Sequence, residues 1–331
     1  MASMDKPEPD ARPKRSLLRS KKFLIGIAAL VAVIVIALAV GLGVGLTRNR
    51  RGGDADNVPP AGPGINRTAI WKPQVGTPWQ IILSKPIKLS GNDGAVTPDT
   101  KVYDLDLFDN DADTFLKLHN AGINVICYFS AGSWEDWRAD KAKFDKADMG
   151  NELDGWPGEK WLNVSSPSVR NIMKERIKLA ASKGCMAIDP DNVDGYQNDN
   201  GLGLTSDAAA DYVKFLAKEA ASYNMSTGLK NAADIVEDVL DVVQFSVNEQ
   251  CIELAECESF APFIKAKKPV FNIEYPQGAP DGLSVQVTDD ICSRKGNATG
   301  TDGFSTVIKK MNLDGWVQYC DGNRYTTPIN S

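Results

Sequence analysis

Residues 168–192 read "SVRNIMKERIKLAASKGCMAIDPDN". Ile172, Met173, Ile177 and Leu179 recur at helical spacing, and Gly184 is the residue type that ends a helix by turning left-handed. "CMAI" then reads as a short buried strand. It stops at an acid, Asp189, followed by Pro190 and a second acid, Asp191. A helix, a glycine, an apolar strand and a polar strand end make one α/β unit. Asp194 adds a third carboxylate within six residues. Like charges at close range repel, so stability does not ask for this crowding.

The same unit recurs on both sides. "PWQIIL", "VYDLDLF", "INVICYFSAG", "CMAID", "MSTGLKN", "VVQFSVNE", "KPVFNIEY" and "WVQYC" read as strands. Helical stretches intervene, among them "DADTFLKLHNAG", with Asp111 as cap and Gly122 as stop, and "DAAADYVKFLAKEAASYN". Eight strands with intervening helices over about 250 residues favour a TIM-type (β/α)8 barrel over a doubly wound sheet. No GxGxxG follows a strand, which weakens the dinucleotide-binding alternative. The barrel domain is assigned to residues 68–331.

In such barrels function gathers at the C-terminal strand ends. Those ends offer Asp104, Tyr128, Asp189, Asp191, Asn192, Lys230, Asn231, Glu249, Glu274 and Tyr275, with Asp194 just beyond. Residues i and i+2 of a strand share a face, so Asp189 and Asp191 point the same way. Structural roles are also open: Asp191 as a cap for the next segment, Asp194 as a turn former with Gly195. An acid directly after "CMAI" belongs at the barrel mouth, and Glu249 after "VVQFSV" occupies the matching place. Carboxylates, amides and aromatics without a histidine pair suit glycoside hydrolysis, in which one carboxyl protonates the leaving oxygen and the other attacks carbon or activates water. Trp79, Trp134, Trp156 and Trp161 are candidates for stacking on sugar rings.

The 331 residues include one histidine, His119. A multi-histidine zinc site is therefore excluded, and a Ser-His-Asp triad has one residue to draw on. No metal and no cofactor are expected. Residues 23–46 are uncharged and apolar, long enough to span a bilayer, with seven Lys/Arg before them and three just after. The expected order is a cytoplasmic basic tail (1–22), a transmembrane signal anchor (23–46), a Gly/Pro-rich linker (47–67) and an extracellular domain, in type II topology. Residues 1–51 hold 10 of the 37 Lys/Arg and 3 of the 43 Asp/Glu, leaving the remainder 27 against 40, a net of −13. An acidic domain argues against nucleic acid as partner and suits a cationic ligand. Six cysteines fit an exported, disulfide-bonded domain. The expected pairs are Cys251–Cys257, Cys127–Cys185 and Cys292–Cys320. Asn66, Asn163, Asn224 and Asn297 are N-glycosylation sequons and so surface predictions.

The stretches "YDLDLFD", "VICYFSAGSWEDWR", "WPGEKWL", "DPDNVDGY", "GLKNA" and "FSVNEQC" resemble the pattern of glycoside hydrolase family 114, the endo-α-1,4-polygalactosaminidases, over nearly all of residues 70–322. The resemblance implies a (β/α)8 barrel and a substrate such as galactosaminogalactan. It carries the two catalytic acids onto Asp189 and Glu249. We assign Asp189 as nucleophile and Glu249 as acid/base, with retention of configuration. Deacetylated galactosamine is cationic, so Asp104, Asp191, Asp194 and Glu274 become candidates for binding its ammonium groups. The enzyme is expected to act as a monomer. The rival from another class is a non-catalytic surface lectin on the same scaffold. A polysaccharide deacetylase is disfavoured by the near absence of histidine.

Overall fold

The computed structural model describes residues 65, 67–89, 91 and 94–330. The basic tail, the anchor, most of the linker and the sequon at Asn66 lie outside the described residues. Among those described, no helix is long and apolar enough to cross a membrane. Arg67, assigned to the end of the linker, is docked: its guanidinium donates to the carbonyls of Cys185 and Ala181.

In chain order the strands are β1 (Trp79–Ile82), β2 (Val102–Asp106), β3 (Asn124–Ser130), β4 (Ser133–Glu135), β5 (Met149–Glu152), β6 (Glu159–Leu162), β7 (Ala187–Asp191), β8 (Ser226–Lys230), β9 (Phe245–Glu249), β10 (Val270–Glu274), β11 (Ser305–Ile308), β12 (Trp316–Tyr319) and β13 (Arg324–Thr326). The α-helices are α1 (Ala112–Asn120), α2 (Pro167–Lys183), α3 (Ser206–Ala221), α4 (Val236–Val239), α5 (Cys251–Leu254), α6 (Ala261–Lys265) and α7 (Val285–Cys292). One sheet runs β1-β2-β3-β7-β8-β9-β10-β11-β12-β13, and a smaller one runs β4-β6-β5. The pairings from β1 through β11 are parallel. The sheet curls until its first strand meets its far edge. Trp79 Nε1 donates to Ser305 O at 2.8 Å, and Tyr319 OH donates to Trp79 O at 2.8 Å. The result is a curled α/β sheet of TIM-barrel type.

Two expectations need correction. "WVQYC" is β12, and it pairs antiparallel with β11 rather than closing the parallel series. The eighth parallel strand is the short "STVI" at 305–308, which lies in a Gly-flanked stretch with too few apolar residues to stand out. The antiparallel β4–β6 sheet was also unanticipated. It carries "WPGEKWL", and it is fastened by a buried ion network. Arg138 bonds Asp106 at 2.6 Å and Glu135 at 2.8 Å, while Arg176 grips Asp140 through two nitrogens and donates to Ser130 O.

Local chemistry explains the elements. Ser166 caps α2, Pro167 opens it, and Gly184 at φ 97° closes it. Its buried stripe runs Val169, Ile172, Met173, Arg176, Ile177 and Ala180, so a charged residue sits on the apolar face because its partners are there. Asp111 caps α1 through Thr114 N at 2.7 Å. The outer core lies between sheet and helices, and a second core fills the barrel. At the N-terminal end of the barrel Trp79, Phe245 and Phe271 pack ring to ring. Each large apolar side chain buried this way contributes about 1.5–3 kcal/mol. The three disulfides join Cys127–Cys185, Cys251–Cys257 and Cys292–Cys320, and no cysteine is free among the described residues.

Candidate active site

Along each inner strand face the residues change from apolar to polar toward the C-terminal end. On β7 the inward residues are Ala187, Asp189 and Asp191; on β9 they are Phe245, Val247 and Glu249. Three neighbouring strands then end alike. Asp191, Lys230 and Glu249 are each the last strand residue, and each is followed by a residue in the left-handed region: Asn192 (φ 61°), Asn231 (φ 47°) and Gln250 (φ 62°). The chain leaves the strand abruptly, which holds the last side chain at the mouth. Such conformations cost energy in non-glycine residues and cluster at functional sites. The amides of Ala131 and Gly132 both donate to Asp191 O. A Cβ on Gly132 would lie 1.7 Å from Asn192 O, so only glycine admits that approach.

The centre is a buried cation between two acids. Lys230 Nζ lies 3.2 Å from Asp191 Oδ1 and 3.3 Å from Glu249 Oε2, with the lysine side chain 2% exposed. Asp191 Oδ2 accepts from Tyr128 OH at 2.8 Å, and Asp191 Oδ1 accepts from Asn192 N at 2.7 Å. Glu249 accepts from Tyr275 OH and, at 3.3 Å, from Asn231 Nδ2, while Glu249 N donates to Asn231 Oδ1. The two acids keep 16% and 23% of their side-chain surface open. Burial works against charge on Lys230, but Asp191, Glu249 and Asp189 outweigh it and hold its ammonium well above the usual range. Burial first, then the adjacent acid, pushes the phenols of Tyr128 and Tyr275 well up, so both stay neutral donors.

Several predicted site residues lie elsewhere. Asp189, assigned as the catalytic nucleophile, is fully buried one layer below the mouth, with no surface to present to a sugar. Asp104, assigned to binding, is buried in the same layer. Burial, then repulsion by Asp189, holds the Asp104 carboxyl well above its ordinary range. Glu274 points the other way. On β10 Ile273 lines the barrel, so Glu274 faces the helix layer, where Oε1 accepts from Ile252 N at 2.9 Å. Burial pushes its carboxyl up to about 7. Asn192 turns its amide to Ser130 and Ser133. Lys230 is engaged by the acids rather than free for substrate. Asp194 is partly exposed beyond Asp191, and burial plus Asp191 raise it to about 6. Trp79 and Trp161 are core residues; Trp156 is 54% exposed. Of the sequons, Asn297 is exposed, whereas Asn224 is half-buried and its Nδ2 donates to Arg67 O.

Glu159 was not anticipated. It accepts from Ser133 Oγ at 2.6 Å, Ser133 shares a hydrogen bond with Ser130, and Asn192 Nδ2 donates to both serines. Burial pushes Glu159 up to about 7. A charge on an antiparallel insert gave the sequence reading nothing by which to place it beside β7.

A parallel barrel whose mouth holds two partly open carboxylates around one lysine defines a site of glycosidase type. Comparison with known proteins agrees: the chain belongs to glycoside-hydrolase family GH114, whose family pattern matches residues 63–325. Ega3 of Aspergillus fumigatus, solved in complex with galactosamine, is 50% identical, with 76% of this chain and 98% of that one covered and a TM-score of 0.71. The glycoside hydrolase domain of PelA from Pseudomonas aeruginosa, at 12% identity and a TM-score of 0.52 over 71% and 95% of the two chains, shares the fold. No curated protein matches.

Proposed function

We propose that this glycoside hydrolase is an endo-acting enzyme that cleaves α-1,4-linked galactosamine in galactosaminogalactan-type polysaccharide, with Asp191 and Glu249 as its catalytic acids. The observation that carries the reading is the pair of strand-end carboxylates sharing Lys230 at the barrel mouth. The galactosamine complex of the 50% identical Ega3 supports the sugar. The net −13 outside residues 1–51 supports a polycationic substrate.

The contacts support a retaining mechanism. Both acids meet one nitrogen, so their nearest oxygens are no further apart than the two short legs laid end to end. Inverting enzymes separate their carboxyls by about 6.5–9.5 Å to admit a water. The shared lysine keeps the nearest oxygens at or inside the lower edge of that range, which supports retention. Asp191, fixed by Tyr128, Asn192 N and Lys230, attacks the anomeric carbon. Protonated Glu249 gives its proton to the departing O4, leaving a glycosyl ester on Asp191. Glu249 then takes a proton from water, whose oxygen displaces Asp191 and restores both acids. Asp194, just outside, is placed to meet an amino group of the chain.

The test is incubation of the full-length chain with partly deacetylated galactosaminogalactan, followed by mass spectrometry. Internal fragments with new reducing ends are expected. Binding without cleavage would leave a lectin instead. We also propose the membrane-anchored, extracellular placement, in which Asn297 carries glycan; an unglycosylated cytosolic protein would refute it.

A further inference from the structure

Beneath the Lys230 bridge lie two carboxyls that the mechanism does not use. Asp104 on β2 and Asp189 on β7 are both 0% exposed. None of their four oxygens receives a donor when both groups are ionised. The register neighbours of Asp104 are Ile81 on β1 and Ile126 on β3, both fully buried. The two carboxyls are within hydrogen-bonding reach of each other, so a proton on one supplies the donor the other lacks. Two carboxylates in contact in a dry layer do not both stay ionised; a shared proton resolves the conflict. The charged groups facing the pair are Lys230 on β8, Asp191 on β7 and Glu249 on β9. Lys230 is the cation of that set.

We propose that Asp104 and Asp189 share one proton and act as a positioning pair, whose single negative charge holds the Lys230 ammonium on the barrel floor so that it bridges Asp191 and Glu249. The inference rests on the reading of Asp191 and Glu249 as the catalytic acids. A neutral pair would let the ammonium rise into the cleft and pair with one acid. Burial, countered by Lys230 and reinforced by Asp191 and Glu249, raises the Asp189 carboxyl to about 7. Burial and repulsion by Asp189 hold the Asp104 carboxyl well above its ordinary range, which favours one proton kept within the pair; the pair's negative charge is lost as the solution becomes acidic.

Two variants of the full-length chain separate the roles. Asp104→Asn imitates the protonated partner and fixes one negative charge on Asp189. It should keep kcat within about threefold at neutral pH and extend activity to lower pH than wild type. Asp189→Asn removes that charge and should lower kcat about tenfold or more, with KM changed less than about twofold. The infrared difference spectrum of wild type minus Asp104→Asn at neutral pH should show a protonated-carboxyl band that shifts in D2O. No such band overturns the shared proton, whatever the enzyme cleaves. Such a band, with a pH profile of Asp104→Asn that matches wild type, overturns the positioning role. If Asp189→Asn does not fold, Asp104→Asn and the band still decide. A wild-type chain that cleaves no galactosamine polymer sinks the proposed function instead, and the band still rules on the pair.

Discussion

Two pairs of acids sit one above the other in this barrel, and they are treated in opposite ways. Asp191 and Glu249 at the mouth share a lysine, accept from two phenols, an amide side chain and a backbone N–H, and keep part of their surface open. Asp104 and Asp189 below have neither a cation in contact nor solvent. The same functional group is partly open to solvent and hydrogen-bonded in one layer and sealed from both solvent and donors in the next. Depth along the barrel axis, not residue type, separates them.

Removing the ionisable groups of the upper pair should give the largest effect. Asp191→Asn and Glu249→Gln keep shape and should each lower kcat by about 10²–10⁴-fold, with a melting temperature close to wild type. Asp191→Asn with near-normal kcat would return the catalytic role to the lower layer. Lys230→Met comes next. It leaves two acids around a buried apolar side chain, and breaking a buried ion pair costs about 3–5 kcal/mol. Urea unfolding should show that loss, together with a fall in kcat. Unchanged stability would mean that the lysine is not the partner both acids need.

Carboxyls raised by burial, in the lower layer and elsewhere, should reveal themselves through pH. The folded-state carboxyls of Asp189, Glu159 and Glu274 are raised to about 7, and that of Asp194 to about 6. Ordinary carboxyls lie near 4. Between those limits the folded protein binds more protons than the unfolded one, so stability is full at about pH 4 and falls as pH rises through about 7. Unfolding free energies measured at pH 5 and pH 8 should therefore favour pH 5. Glu274→Gln should flatten part of that slope without altering kcat. A rise in stability from pH 5 to pH 8 would contradict the burial argument.

The smallest effect should come from Asn231→Gly. Glycine keeps the left-handed turn and removes the side-chain amide that bonds both the carboxylate and the backbone N–H of Glu249. Of the two hydrogen bonds lost, the one at 3.3 Å to the Glu249 carboxylate, of about 0.5–1.5 kcal/mol, corresponds to roughly a two- to tenfold loss of kcat. No loss would show that Tyr275 and Lys230 suffice.

Much of this was legible in the chain. The 3.6-residue and two-residue periods, with Gly184 and Asp111 as punctuation, mark the strands and helices of a barrel and place the polar residues at strand ends. Period two also separates Tyr275 from Glu274, since neighbours on a strand face opposite sides. Only one of them belongs to the mouth, a distinction that the list of strand-end residues passed over. The eighth parallel strand was hidden because "STVI" is too short to outweigh its flanks. The β4–β6 sheet was hidden because its cohesion comes from Arg138 and Arg176 reaching acids distant in sequence.

The order of the motifs, the apolar runs and the carboxylate after "CMAI" were determined by the amino-acid sequence. It also placed Asp189 and Asp191 on one face, because alternation along a strand is local geometry. Which of the two meets substrate was decided only in the folded barrel. Strand pairing and curling set how deep each inward residue lies, and the left-handed exit at Asn192 leaves Asp191 as the last one before solvent. Two residues further down, closure of the ring removes the water that an exposed carboxylate keeps.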